Sequence, residues 1–121
     1  MRAKGRGKIV NISSSRVWEG TPNRLHYTTS KAGVIGFTRA LAREVGPWGI
    51  TVNAVTPGNT LSETQIGSSS PEYLHARIEG RAIARAQVPE DLVGAVMFLA
   101  TPASDFMTGQ TINIDGGKMM H

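Results

Sequence analysis

The chain has 121 residues, 40% of them hydrophobic and 18% charged, with 14 glycines and a formal net charge of +4. This is the composition of one folded domain with a real core; it excludes a disordered tail and leaves no room for two separate domains. Cysteine is absent, so disulfides and thiolate metal sites are excluded, which fits a reducing cytoplasm.

No apolar run approaches a membrane span, and the basic start (Arg2, Lys4, Arg6, Lys8) leads into polar NISSS rather than a signal-peptide core. Those four cations could form an arm for nucleic acid. With aromatics at 6% and no nucleic-acid motif, the preferred reading is a solvated helix end leading into a strand. The expectation is neither a nucleic-acid nor a membrane partner.

GKIVNIS, 7–13, is an apolar run bounded by glycine and serines and reads as a buried strand. From Leu25 to Val45, the residues Val34, Ile35, Phe37, Leu41, Ala42 and Val45 fall at helical spacing, with Arg39, Arg43 and Glu44 on the other side. Gly46 and Pro47 stop that helix. ITVNAVT, 50–56, is a second strand that ends at Pro57-Gly58. The stretch 59–88 reads as polar and irregular, with a short helix over 71–80. Pro89 opens another helix with Glu90 and Asp91 in its first turn. Its body, LVGAVMFLA, is apolar nearly all round and is expected to be buried. QTINIDGG supplies a third strand. Strands alternating with helices predict parallel strands joined by crossovers, an α/β layered fold.

Three side chains stand out chemically. Tyr27 and Lys31 are four apart and share one helix face, so the ammonium can sit near the phenol. At about 5 Å and an effective dielectric of ~20, such an ammonium favours the phenolate by roughly 3 kcal/mol. Ser14, thirteen residues before Tyr27, ends the first strand and can point its hydroxyl into the same place. This is a kit for moving a proton to or from a carbonyl oxygen.

The chain resembles the C-terminal half of a short-chain dehydrogenase/reductase of the 3-oxoacyl-ACP-reductase-like type. KIVNISSS looks like that family's fifth strand with its serine, and YTTSK matches its Tyr-x-x-x-Lys. ITVNAVTPG matches the sixth strand and its Pro-Gly turn, and VPEDLVGAVMFLATPASDFMTGQTINIDGG matches the last helix and strand. A lone Tyr-x-x-x-Lys is weak, but four ordered motifs covering essentially the whole chain are specific.

The resemblance implies a Rossmann-like three-layer α/β fold, the C-terminal part of a doubly wound parallel sheet with about three strands. It implies NAD or NADP as cofactor, the choice unreadable, and a small carbonyl or alcohol substrate. Tyr27 would be the general acid/base, Lys31 would favour its phenolate and hold the nicotinamide ribose, and Ser14 would orient the substrate oxygen. Backbone around Pro57, Gly58 and Thr60 would contact the nicotinamide carboxamide. Ser62 stands where the family often has Thr, and the resemblance implies that it too contacts the cofactor.

The family's glycine-rich phosphate loop belongs to its N-terminal half, and no such loop is found in 1–121; GRG at 5–7 precedes a strand rather than following one. The expectation is a single partial domain over 1–121 whose first strand has one unpaired edge, completed by a missing N-terminal half or by homo-oligomerisation. Little or no turnover by the chain alone follows. The competing reading is a non-catalytic remnant that acts as an oligomerising or partner-binding module.

Other residues carry blander expectations. Asn53 should bond backbone near the sheet end, and Asp115-Gly116-Gly117 should be a turn. His26, His75 and His121 lack metal-ligand spacing, and His26 is expected at the surface. Trp18 belongs to a loop near the site, and Met119-Met120 is an interface or core filler.

Overall fold

The computed structural model describes residues 1–120. Three parallel strands, β1 (Gly7–Ile12), β2 (Ile50–Pro57) and β3 (Thr111–Ile114), lie in the order β1-β2-β3. Ile9 stands opposite Val52, and Val55 opposite Ile112. Parallel neighbours cannot be joined by a tight turn. The first crossover therefore carries α1 (Arg16–Glu19) and α2 (Leu25–Val45), and the second carries α3 (Glu63–Ser68), α4 (Pro71–Ile78) and α5 (Glu90–Ala100).

The central strand decides the layering. Val52, Ala54 and Thr56 point to one face of β2, Asn53 and Val55 to the other, and all five are fully buried. On the first face Ala42 of α2 packs against Ile50 and Val52, joined by Ile9, Leu41 and Val45. On the second, Asn53 Nδ2 donates to Met107 O at 2.8 Å, and Lys8 Nζ donates to Ser104 Oγ at 3.3 Å. The sheet is thus covered on both sides, as the three-layer reading requires. Each fully buried Val or Leu side chain in it contributes ~1.5–3 kcal/mol.

The helix expected over 25–45 has those bounds, and the strands end within a residue of expectation for β1 and β2. α2 buries Ile35, Thr38 and Ala42. Phe37 turns outward, and Thr38 replaces it inside because its hydroxyl is satisfied. Thr38 Oγ1 donates to Val34 O at 2.7 Å and accepts from Asn11 Nδ2 at 3.0 Å. After Gly46-Pro47 the chain turns at Gly49 with φ of +66°, where an added Cβ would collide with the Gly5 carbonyl. Only glycine fits there.

Four expectations need correcting. The segment 59–88 is not irregular but holds two helices. The second is the expected one; the first was hidden in a capping box, in which Gln65 N donates to Ser62 Oγ (3.3 Å) and Ser62 N to Gln65 Oε1 (2.9 Å). The body of α5 is not buried all round. Leu92, Ala95, Val96 and Leu99, one stripe at i, i+3, i+4, i+7, face inward, while Val93 and Met97 are 55% and 56% exposed. An apolar composition says which residues avoid water, not whether a neighbour covers them. Trp18 lies in the single-turn helix α1 rather than a loop, and Met120 is exposed, so of its two expected roles, interface or core filler, it does not fill the core.

The basic start forms a short 3-10 turn in which the Arg2 guanidinium lies 4.0 Å over the Trp48 ring. Lys8 pairs with Asp105 at 2.7 Å. Neither described edge, β1 nor β3, has a further strand beside it among the described residues.

Candidate active site

The three serines after β1 are buried and extend its pairing with β2. Ser13 N donates to Val55 O at 2.8 Å and Ser15 N to Pro57 O at 3.0 Å. Ser14 is held between these anchors. Its hydroxyl accepts from Arg16 N at 3.3 Å and faces a cavity of about 210 Å³. The serine run thus turns a strand end into a rigid mount, which suits a group that must hold an angle.

Tyr27 lies in the first turn of α2 and lines the same cavity. Lys31, one turn on, holds its ammonium 5.9 Å from the Tyr27 ring centroid. Its Nζ donates to Ile12 O at 3.2 Å, which leaves two of three N–H donors for other partners. The Lys31 carbonyl accepts from Ser13 Oγ at 2.7 Å. Side chain and main chain of one residue therefore tie α2 to the end of β1.

Gly58 also lines the cavity, at the turn that follows β2. An added Cβ there would stand 2.6 Å from Gln87 Oε1 and 2.9 Å from Asp115 Cα. The turn is packed against the end of β3, where Gly58 N donates to Ile114 O at 2.8 Å. The structure thus brings Ser14, Tyr27 and Gly58 to one cavity, with Lys31 behind Tyr27. Pro57, Thr60 and Ser62 do not line it. Thr60 Oγ1 donates to Gly58 O at 3.2 Å and braces the turn, while Ser62 is exposed and caps α3.

Sequence reasoning missed the charged wall. Arg16, Glu19, Arg77 and Lys118 line the cavity beside Asn59. Glu19 Oε2 lies 3.7 Å from Arg16 Nη1 and accepts from Thr21 Oγ1 at 2.9 Å; Glu19 Oε1 lies 3.6 Å from Lys118 Nζ. Arg77 sits 4.7 Å over the Tyr73 ring and has no carboxylate partner among the described residues. No spacing rule joins residues 16, 19, 77 and 118; only the fold does.

Two further residues hold the wall in place. Arg81 is buried and donates to Asn59 O at 2.7 Å and to Arg85 O at 3.2 Å. Burial pushes its guanidinium below the usual value, and nearby Asp115 pulls it back up. Asp115 accepts from the N–H groups of Gly117, Lys118 and Met119 at 3.0, 3.1 and 2.9 Å. Asp115-Gly116-Gly117 is therefore the expected turn, closed on its own carboxylate.

Asn53 does what was expected of it: besides its bond to Met107 O, its Oδ1 accepts from Gln110 N at 3.0 Å. His26 is exposed, and His121 lies outside the described residues. No group of three His, Asp or Glu side chains able to hold a metal occurs among the described residues. Nor is any described helix long and apolar enough to cross a membrane.

The sequence profile of the enoyl-(acyl carrier protein) reductases matches residues 1–119. The chain is 37% identical over 125 aligned residues to the short-chain reductase protein NovJ of Streptomyces niveus, covering 98% of this chain and 47% of that one. The chain belongs to the short-chain dehydrogenase/reductase family. It is also 43% identical to a 3-oxoacyl-[acyl-carrier-protein] reductase of Synechocystis, with 94% of this chain and 45% of that one covered. A short-chain dehydrogenase from Leptospira borgpetersenii, solved with bound NAD+, superposes with a TM-score of 0.85 at 34% identity, over 98% of this chain and 47% of that one. As a short-chain dehydrogenase/reductase chain, its open parallel sheet is part of a Rossmann-like fold. It spans about half the length of the curated relatives it matches.

Proposed function

We propose that this chain carries the proton-transfer side of an NAD(P)-dependent oxidoreductase that interconverts a ketone and a secondary alcohol. The observation that carries the reading is the cavity shared by Ser14, Tyr27 and Gly58, with the Lys31 ammonium one helical turn behind the phenol. Family membership and the NAD+ bound to the Leptospira relative support a nicotinamide cofactor; neither supports NAD over NADP.

The donor set fits the nicotinamide end of such a cofactor. Tyr27 and Lys31 offer an O–H and two uncommitted N–H groups on one helix face, which suits ribose hydroxyls. Gly58 and Pro57 carry the main chain past the same cavity, with Thr60 holding the turn. No glycine-rich strand-turn-helix among the described residues would cradle the pyrophosphate, so the reading confines this chain to the nicotinamide end. Ser62, engaged as a cap, would be a peripheral contact at most.

The cofactor, when bound, would supply or accept the hydride. Ser14 would donate a hydrogen bond to the substrate oxygen and fix its direction; the anchors on Ser13 and Ser15 prevent it from following the substrate. Tyr27 Oη would give its proton to the oxygen as the carbonyl is reduced, or take it as the alcohol is oxidised. Lys31 would stabilise the phenolate left behind, an attraction strengthened where water is thin.

The test is titration with NADH and NADPH, read through Trp18 and Trp48 fluorescence, followed by ketone reduction with wild type and Tyr27→Phe. The expected outcome is that Tyr27→Phe keeps cofactor binding and loses at least ~100-fold in kcat, in the range of general-acid catalysis. Turnover by the chain alone is expected to be low, so the assay includes a reconstituted enzyme with a glycine-rich companion segment. Unchanged kcat in Tyr27→Phe would refute the proton-transfer role.

A second reading has its own observation. Val93, Met97 and Phe98 of α5 and the fully exposed Phe106 leave apolar surface uncovered, which favours association with a partner or a second copy. A chain that assembles but binds neither dinucleotide would favour that non-catalytic reading.

A further inference from the structure

The charged wall of the cavity has a sign. Three cations, Arg16, Arg77 and Lys118, share it with one carboxylate, Glu19. Glu19 is within 4 Å of two of them and accepts a hydrogen bond from Thr21 as well. Arg77, on α4, is left with only the face of Tyr73. The cavity wall therefore keeps an uncompensated positive charge.

We infer that the substrate taken by this site is a short oxo acid, whose carbonyl meets Ser14 and Tyr27 while its carboxylate pairs with Arg77. The inference rests on the carbonyl-reducing reading above and adds the substrate class to it. Guanidinium groups match carboxylates in geometry as well as charge, with two parallel N–H donors. A guanidinium already stacked on an aromatic ring presents its N–H edge with little further ordering. Size limits the choice: a cavity of about 210 Å³ that also receives the nicotinamide end of a cofactor leaves room for a small acid only.

Glu19 has a defined part in this arrangement. It holds Arg16 and Lys118 at the wall, and it competes with the incoming carboxylate for both. A neutral side chain at position 19 frees two cations without removing any. Arg77 and Glu19 thus predict opposite effects on the same ligand, which a general loss of structure would not produce.

The experiment measures binding of acetoacetate and 4-oxopentanoate, each against its methyl ester, to the full chain by calorimetry or by Trp18 and Trp48 fluorescence. The acids should bind at least ~10-fold tighter than the esters at low salt, and the preference should shrink as salt rises. Arg77→Gln should abolish the preference, and Glu19→Gln should strengthen acid binding several-fold. Esters that bind as well as acids, or an acid preference that survives Arg77→Gln, would overturn the inference. If only neutral ketones are reduced and Tyr27→Phe stops it, the oxidoreductase reading stands and the oxo-acid inference falls. If acids bind through Arg77 but Tyr27→Phe does not affect reduction, the anion site stands and the proton-transfer reading falls.

Discussion

The Ser13 hydroxyl donates across 2.7 Å to the main-chain carbonyl of Lys31, joining the end of β1 to the first turns of α2. The same turn is fixed a second time by Lys31 Nζ on Ile12 O. The distance between a serine mount and a tyrosine on a helix is thus set by two bonds to a single residue. Ser13→Ala removes one of them while the carbonyl keeps its place in the helix. The expected loss is about 1 kcal/mol of stability, read as a lower urea midpoint at unchanged slope. In a reconstituted enzyme kcat should fall more than KM rises, because the substrate still enters but meets a less constrained Tyr27. A midpoint unchanged within error would show that the Lys31–Ile12 contact alone suffices.

Gly58 tests how tightly the turn beside the cavity is packed. In Gly58→Ala the new methyl would stand 2.6 Å from Gln87 Oε1, 2.8 Å from Asp115 Cβ and 2.9 Å from Asp115 Cα. Gln87 cannot easily retreat, since its Nε2 donates to Ile114 O at 2.7 Å, and Asp115 is fixed by its own loop. The substitution should cost about 2 kcal/mol through overpacking, seen as a lowered melting temperature, and should weaken any dinucleotide affinity. A variant as stable as wild type would mean that the turn and the end of β3 move apart freely.

The skeleton was legible because its signals are local. Gly46-Pro47 stops α2 by chemistry that needs no partner, and the apolar runs of β1 and β2 are too short for helices. What escaped reading depends on neighbours. Thr38 is inside and Phe37 outside because Asn11 of β1 offers the hydroxyl a partner. α5 reads as apolar all round, yet only one stripe meets the sheet. α3 was legible in principle, since Ser62 and Gln65 spell a capping box, but Ser62 was assigned to the cofactor instead. At the site, Ser14, Tyr27 and Lys31 stand out by type and spacing. Arg16, Glu19, Arg77 and Lys118 come from four segments, and Arg81 acts through the backbone of Asn59, so no pattern along the chain marks them.

Acid should reveal the ion pair that starts α5. Arg85 Nη2 lies 2.5 Å from Asp91 Oδ1, and Val88 N donates to Asp91 Oδ2 at 2.9 Å. The Arg85 hydrogen bond first, and the Val88 N–H second, lower the Asp91 carboxyl to about 2. Because the folded value lies below the unfolded one of ~4, the pair stabilises the fold above pH ~4. That contribution is lost as the pH falls from there through 2. Asp91→Asn should flatten this part of the stability-against-pH curve and leave neutral pH less stable. An equally steep acid limb in the variant would assign it to other carboxylates. A direct check is the Asp91 carboxyl signal by NMR, which should titrate well below the free-aspartate range.

Asp115 links the stability of the last loop to the charge of the cavity. Its buried carboxylate accepts from three successive N–H groups, those of Gly117, Lys118 and Met119, and so sets where Lys118 stands. In Asp115→Ala all three donors lose their acceptor; with bonds to a charged group at ~1.5–3 kcal/mol each and incompletely additive, the expected loss is about 3 kcal/mol. Asp115→Asn keeps an acceptor oxygen but not the charge, and should fall between the two. Hydrogen exchange separates a local from a global effect: the amides of Gly117, Lys118 and Met119 should lose protection first, while Val52 and Val55 in β2 follow global stability. With the loop released, Lys118 leaves Glu19, whose carboxylate then turns wholly to Arg16. Equal protection at all five amides in Asp115→Ala would show that the loop is held by something other than the carboxylate.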